Sequence, residues 1–162
     1  MNWVWYNNYA EGSKEFDELM TDKDGYKHRY TVPAGLVRDD LWIRQKDFAN
    51  KVLPPQFAEV VNKTTRPFVQ VITDVLSPRA SFFDGKVLLI GDALCGVRPH
   101  TASSVNQAAL HANLLGQVFK GEMTLQEWEK RVLDYARTIN RRGIEMGEMS
   151  QFGRQPPPQS SA

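Results

Sequence analysis

The feature that most constrains the fold is an apolar run that ends at an acid and is followed by a helical pattern. Residues 86–106 read KVLLIGDALCGVRPHTASSVN, in which the apolar run 87–90 ends at Gly91-Asp92 and the helical pattern begins near Ser103. This order predicts a buried strand that delivers Asp92 to a crevice, followed by a helix N-terminus. A helix start beyond a strand end offers unpaired N–H groups to an electron-rich ligand. The segment therefore predicts a cofactor site.

The same segment resembles the second flavin-binding motif of the FAD-dependent aromatic hydroxylases, the flavoprotein monooxygenases related to p-hydroxybenzoate hydroxylase. That motif runs from a strand through Gly-Asp-Ala and a proline-containing loop to a helix start that ends in Asn. The residues that match it without a gap are Gly91, Asp92, Ala93, Pro99 and Asn106. Residues 98–101, 2–6 and 67–70 are most similar to the dihydroxypyridine hydroxylase branch, and the resemblance extends to about Phe152.

The resemblance implies roles for particular residues. Asp92 would contact the ribityl and pyrophosphate part of FAD, and Pro99 would lie beside the reactive edge of the flavin. Backbone N–H groups of Val105 and Asn106 would face the pyrimidine edge, where fixed dipoles stabilise the negative charge of a reduced flavin. The predicted cofactor-binding residues are Gly91, Asp92, Pro99, Ser103, Ser104, Val105 and Asn106.

Each of these residues also has a plainer interpretation. Asp92 could cap the loop that follows it, and Asn106 could be an ordinary polar residue of a first helical turn. His100, which with Pro99 is a candidate for a catalytic role, could contact substrate or flavin or could stabilise its loop. His111 lies inside the helical pattern and is interpreted as a packing or partly exposed residue.

Two other kinds of chemistry are weakly indicated. Ser103 or Ser104 with His100 and Asp92 would suggest a hydrolase, but no GxSxG elbow is present. Cys95 near His100 is an equally weak indication of a thiol nucleophile.

The chain departs from the family pattern in two ways. Ala102 and Ser104 occupy positions where the family usually has glycine, so their side chains would crowd the flavin or require unfavourable φ values. In addition, no GxGxxG occurs, so the part of the site that holds the ADP half of FAD is not encoded in this sequence. The resemblance thus covers the C-terminal portion of such an enzyme. It implies a partner that carries the missing half, or that the sequence is a piece of a longer protein. The bare surface left by the missing half could also drive self-association.

Composition excludes several classes of protein. The 162 residues carry a formal net charge of +1, which gives no broad basic field for nucleic acid. A single cysteine excludes a disulfide framework and a CxxC metal site, and we expect no metal. No apolar run is long enough to cross a bilayer, and the N-terminus lacks the pattern of a signal peptide. A soluble, cytoplasmic protein is expected.

The predicted fold class is α+β, a partial p-hydroxybenzoate hydroxylase-like fold without the ADP-binding Rossmann half. Residues 1–83 would form part of a substrate-binding sheet with two short helices, and residues 84–122 the strand-loop-helix flavin motif. A C-terminal helix would follow over 123–152, and 153–162, rich in proline and serine, would be a disordered tail.

Local patterns predict the individual elements. Strands are expected at 3–9, 26–32 and 67–76, with a hairpin closed by Asp84-Gly85. Helices are expected to begin at Asp39 or Asp40, at Pro55, near Ser103 and, with a capping box, at Thr124. In the third of these helices the predicted buried stripe is Val105, Ala108, Ala109, Ala112, Leu115 and Phe119.

Two functions follow from the resemblance. The first is the C-terminal part of an FAD-dependent monooxygenase that hydroxylates a phenol-like or hydroxypyridine-like ring with NAD(P)H and oxygen, inactive without its other half. The second is a noncatalytic remnant that binds a partner or a planar small molecule.

Overall fold

The computed structural model describes residues 3–153, and the chain divides between Val71 and Ile72 into two compact units. The architecture is α+β, as predicted, with helices and two-stranded antiparallel sheets. In the first unit the elements are α1 (Lys14–Met20), β1 (Thr31–Val32), α2 (Asp39–Val52), α3 (Pro55–Lys63) and β2 (Val69–Gln70). In the second unit they are β3 (Val75–Leu76), β4 (Ser81–Phe82), β5 (Val87–Leu88), β6 (Cys95–Gly96), α4 (Ser104–Phe119) and α5 (Leu125–Phe152), with 3-10 turns at Gly91–Ala93 and Pro99–Thr101.

The aromatic N-terminal segment is not the predicted strand. Residues 3–9 have no regular secondary structure. The Trp3 indole N–H donates to Oγ1 of Thr64 at 3.0 Å, and the Trp5 ring stacks on Phe48 with ring centroids 5.6 Å apart. Because β propensity mostly reflects how a side chain packs on a sheet, aromatic contacts with helices α2 and α3 satisfy these residues instead.

A buried carboxylate explains why the strand predicted at 26–32 is short. Oδ1 of Asp22 accepts N–H bonds from Asp24 and Tyr26, each of 2.9 Å, and Oδ2 lies 2.8 Å from Nε2 of His28. The hydrogen bond with His28 lowers the pKa of Asp22 below its ordinary value. These bonds shape the chain around Asp22 as a loop, so that apart from an isolated bridge between Lys27 and Thr21 only β1 forms a strand, which pairs antiparallel with β2.

The helices of the first unit begin close to where the sequence indicates. The structure places the N-cap of α2 at Arg38, so the predicted cap at Asp39 or Asp40 is wrong. The reason is that the Asp40 carboxylate binds the Arg38 guanidinium at 2.7 Å instead of capping backbone N–H groups. Pro55 begins α3, as predicted.

In the second unit the hairpin forms with the predicted turn. Strands β4 and β5 pair antiparallel, and Lys86 N–H donates to the Phe83 carbonyl at 3.2 Å. The φ angles of Asp84 and Gly85 are 54° and 83°, as a type I′ turn requires. The strand predicted at 67–76 is instead interrupted, and its end, β3, pairs with β6.

The core of the second unit lies between α5 and α4. Helix α5 begins with the predicted capping box, in which Thr124 Oγ1 accepts from Glu127 N–H and the Glu127 carboxylate accepts from Thr124 N–H. Trp128 is fully buried, and its indole N–H donates to the His111 carbonyl at 3.2 Å. The cluster around it consists of Ala80, Leu94, Cys95, Leu114, Val132, Leu133 and Ala136.

Helix α4 buries a different face from the predicted one. Val105 and Phe119 of the predicted stripe are 79% and 81% exposed, whereas Gln107 and His111 are 0% exposed. The apolar pattern was misleading because these two polar side chains hydrogen-bond to the backbone of residues 91–95. Their burial turns Val105, Ala109, Ala112 and Phe119 outward, whereas Ala108 packs near Gly91 and Leu115 packs against the core.

Among residues 3–153, no helix is long and apolar enough to cross a membrane. The predicted disordered tail lies outside the described residues from position 154 onward.

We expect Glu129→Ala to lower the free energy of unfolding by about 2–3 kcal/mol, since hydrogen bonds to a charged group contribute about 1.5–3 kcal/mol. One oxygen of this α5 carboxylate accepts N–H bonds from Ala80 and Ser81, of 2.8 and 2.9 Å, and so attaches β4 to the helix. Urea unfolding measures the change, with the exposed Glu122→Ala as control. Equal effects of the two substitutions would contradict this account.

Candidate functional site

The Gly91–Ala93 turn is held against α4. Gly91 is buried with φ of +56°, and a methyl group on it would lie 3.2 Å from Cβ of Ala108. Its N–H donates to Nδ1 of His111 at 3.1 Å. A glycine at this position is therefore required both for the positive φ and for the close approach of the helix.

Asp92 lies in this turn with an exposed side chain. The strand that precedes it is shorter and more open than predicted, with Val87 and Ile90 45% and 42% exposed, so the expectation of a buried strand is wrong. Within the described part of the chain the Asp92 carboxylate has no hydrogen-bond or ion-pair partner. No N–H group there supports the alternative that Asp92 caps its own loop.

The predicted proline lies at the start of the second 3-10 turn. Pro99 is exposed, and the Pro99–Thr101 turn ends at Ala102, whose φ is +50° and ψ 32°. An L-residue in this left-handed region is strained by roughly 1–2 kcal/mol. The expectation of an unfavourable φ is confirmed for Ala102, whereas Ser104 is the first residue of α4 and is not among the residues with positive φ.

The N-terminus of α4 lacks a side-chain cap. Ser103 occupies the N-cap position, but its hydroxyl donates to the Thr101 carbonyl at 3.2 Å. As at every helix start, the N–H groups of residues 104–106 have no intrahelical acceptor, and the Ser103 side chain does not accept from them either. Val105 and Asn106 are both exposed. This start presents backbone donors to the surroundings.

Helix α5 supports the proline loop through two glycines. A methyl group on Gly147 would lie 3.0 Å from Nη1 of Arg98 and 3.2 Å from Cε1 of His100, and one on Gly143 would lie 3.6 Å from Arg98 N. The Arg98 guanidinium lies 3.3 Å from the Asp74 carboxylate and 4.0 Å from that of Glu148. The glycines allow residues 98–100 to lie directly on α5.

The structure thus places all the predicted site residues in the second unit, on two supports. The Gly91–Ala93 turn packs on α4 near Ala108 and His111, about 6–10 Å along the helix axis from its start. The Pro99–Thr101 turn lies on α5, with His100 half-buried. Sequence reasoning missed the supporting residues Arg98, Gln107, Gly143 and Gly147, and the only signal for them was the pair of glycines in a helical pattern.

The weaker alternatives find no support in the geometry. Cys95 is fully buried, and burial raises the pKa of its thiol, the opposite of what a nucleophile requires. The Ser103 hydroxyl is engaged with a carbonyl and has no hydrogen bond to His100 among the described contacts. His111 is a fully buried packing residue, as interpreted. Across residues 3–153, His, Cys, Asp and Glu side chains form no group of three or more suited to a metal ion.

The residues present fit one half of FAD. An exposed carboxylate without a partner can accept from ribityl hydroxyls, and an uncapped helix start can donate to an electron-rich ring edge. The sequence contains no glycine-rich motif for the pyrophosphate and adenosine. The fit is therefore to the ribityl and ring half alone.

The carboxylate turn, the proline turn and the uncapped helix start follow one another in this order on an α+β scaffold. A family model described as FAD binding domain-like matches residues 1–74. The predicted resemblance to the hydroxylases is confirmed by two relatives.

One such relative is the 2,6-dihydroxypyridine 3-monooxygenase of Paenarthrobacter nicotinovorans, which is 33% identical over 94% of this chain. The solved structure of 2,6-dihydroxypyridine-3-hydroxylase from Arthrobacter nicotinovorans matches 94% of the chain with a TM-score of 0.76 and 32% identity. The chain spans 38% of the first relative and 39% of the second.

Alanine at two helical glycines tests the support of the proline loop. We expect Gly116→Ala, where nothing lies within 4 Å of the added methyl group, to raise the free energy of unfolding by about 0.5–1 kcal/mol. Gly147→Ala should lower it by about 1 kcal/mol, because Arg98 and His100 must move. Urea unfolding of both variants makes the comparison. A gain of stability in both would show that the loop does not rest on Gly147.

Burial of His111 should make stability depend on pH. Burial lowers the pKa of this imidazole below its ordinary value of 6.5, so below pH 6.5 the unfolded chain takes up a proton that the folded chain does not. Stability is full above pH 6.5 and falls by up to about 1.4 kcal/mol per pH unit until the folded pKa is passed. Urea unfolding at several pH values measures this, with His111→Asn as a non-titrating control. The same dependence in that variant would contradict the assignment.

Proposed function

We propose that this chain supplies the ribityl and ring side of the FAD site of an aromatic-ring monooxygenase that uses NAD(P)H and oxygen. A phenol-like or hydroxypyridine-like ring is the proposed substrate class, and 2,6-dihydroxypyridine is the substrate named for both relatives. The observation that carries the proposal is the uncapped N-terminus of α4. It lies close in sequence to the proline turn, and the part of α4 that follows its first helical turn packs on the Gly91–Ala93 segment that carries Asp92.

The proposed role of each residue is the one that the resemblance implies, and its placement is compatible with that role. Asp92, exposed and without a partner among the described residues, accepts from hydroxyls of the ribityl chain. N–H groups of Ser104, Val105 and Asn106 stabilise negative charge on the pyrimidine edge of the ring, since their dipoles are already oriented. Pro99 borders the reactive edge of the flavin, and the neighbouring His100 packs against α5. FAD, when bound, supplies the redox chemistry that links NAD(P)H and oxygen to hydroxylation of the ring.

The ADP half of the cofactor requires a second component. The sequence contains no GxGxxG, so in this proposal a segment that carries the motif completes the site. The outer face of α4, which comprises Val105, Ala109, Ala112 and Phe119, supports such contact because its two large residues are 79% and 81% exposed. Without that component, the same face would favour self-association.

Flavin titration tests the proposal. FAD is added to the purified chain alone, and to the chain mixed with the part of the dihydroxypyridine relative that this chain does not match, the proposed GxGxxG-bearing segment, while the flavin absorption spectrum is recorded. We expect binding in the mixture, and hydroxylation of 2,6-dihydroxypyridine when NAD(P)H and oxygen are added. Asp92→Ala should weaken FAD binding by about tenfold, the effect of one hydrogen bond with a charged group.

Matched variants keep this test specific. Asp134→Ala removes an exposed carboxylate of α5 that binds Arg137, and it should leave FAD binding unchanged. Ala102→Gly should not weaken binding, because glycine adopts the observed φ of +50° without strain. Ser104→Gly should strengthen binding only if its side chain crowds the flavin. A mixture whose flavin spectrum stays that of free FAD, and whose protein is colourless once free FAD is removed, would overturn the proposal and favour a noncatalytic binding module.

A further inference from the structure

We infer that Gln107 and His111 are positioning residues of this site. They hold the two ends of segment 91–95 and so set the direction in which the Asp92 side chain points. The inference rests on the proposed function for the ligand that Asp92 meets. Its geometrical basis is independent of that function.

Two hydrogen bonds bracket the turn. Gly91 N–H donates to Nδ1 of His111 at 3.1 Å, and Nε2 of Gln107 donates to the Cys95 carbonyl at 2.9 Å. Residues four apart lie on one face of a helix, and the two backbone groups they bind are also four residues apart. The segment that carries Asp92 is thus tied to α4 at both ends.

Helix α4 also packs closely against the Gly91–Ala93 turn, near the hydrogen bond between Gly91 and His111. Ala108 is the residue that a methyl group on Gly91 would meet, at 3.2 Å. At the same level, the buried Trp128 indole binds the His111 carbonyl at 3.2 Å, which fixes α4 against α5. The anchor of the turn is therefore itself anchored in the core.

The polar character of this face has a cost. Because Nδ1 of His111 accepts a bond, the neutral ring carries its proton on Nε2, and that atom and Oε1 of Gln107 are buried without a partner among the described residues. Unsatisfied buried polar atoms destabilise a fold, and apolar side chains would avoid the cost. What the pair provides instead is a defined path for residues 91–95.

The first experiment needs no ligand. In the ¹⁵N-labelled chain, the imidazole nitrogen shifts should show the Nε2–H tautomer of His111, and the Gly91 amide should exchange slowly. His111→Phe should speed that exchange by about tenfold, the effect of one lost hydrogen bond. His111→Asn, which can restore an acceptor near the Nδ1 position, should reverse much of the change. An Nδ1–H tautomer, or unchanged exchange in His111→Phe, would overturn the inference.

A second pair of variants covers the other end and guards against misfolding of His111→Phe. Gln107→Met removes the donor to Cys95 with little change in shape, and Gln117→Met makes the same substitution elsewhere on α4. We expect Gln107→Met, but not Gln117→Met, to speed exchange of the Leu94 amide, which donates to the Gly91 carbonyl at 3.0 Å within the tied segment. Equal behaviour of the two variants would count against the pair of anchors.

FAD titration of the mixture with the GxGxxG-bearing segment then separates positioning from stability. Gln107→Met and Asp92→Ala should each weaken FAD binding, and the double variant should weaken it little more than Asp92→Ala alone, because both act through one carboxylate. Additive losses would overturn the positioning role. If the wild-type mixture binds no FAD, the proposed function fails, while the exchange measurements still decide whether Gln107 and His111 hold the turn.

Discussion

The burial of the Trp128 side chain of α5 against α4 is the interaction on which the second unit depends. Its ring fills the centre of the core, and its N–H is satisfied by the His111 carbonyl. An aromatic side chain that buries both its ring and its polar group fixes the neighbouring helix in distance and in rotation. His111 is therefore held where its ring can accept from Gly91, and the orientation of the candidate site follows from the packing of the core.

The two 3-10 turns are held by different physical means. The Gly91–Ala93 turn is tied by hydrogen bonds to buried polar side chains of α4, whereas the proline turn lies on α5 where Gly143 and Gly147 leave room for Arg98. In both cases the backbone approaches a helix closely, and the helix supplies either a small residue or a polar partner. This leaves Asp92 and the start of α4 exposed, as contacts with a ligand require.

Local sequence patterns predicted the elements whose stabilising contacts are local. The Asp84-Gly85 turn, the capping box at Thr124 and the helix that begins at Pro55 are stabilised within a few residues of chain, so they could be read directly. The strand expected at 3–9 was wrong because the contacts of Trp3 and Trp5 are with residues Thr64 and Phe48, which are distant in sequence. The N-cap of α2 was wrong because Arg38 binds the carboxylate that was expected to cap it.

By itself, the sequence determined the order of the candidate site: an acid after an apolar run, a proline turn and a helix start near Ser103, together with the absence of GxGxxG. Only the tertiary structure decided which face of α4 is buried. An apolar pattern counts side chains by their affinity for water, and it assigned Val105 and Phe119 to the core. Gln107 and His111 took that place because each finds a backbone partner in residues 91–95, and such a partner exists only when the chain has folded.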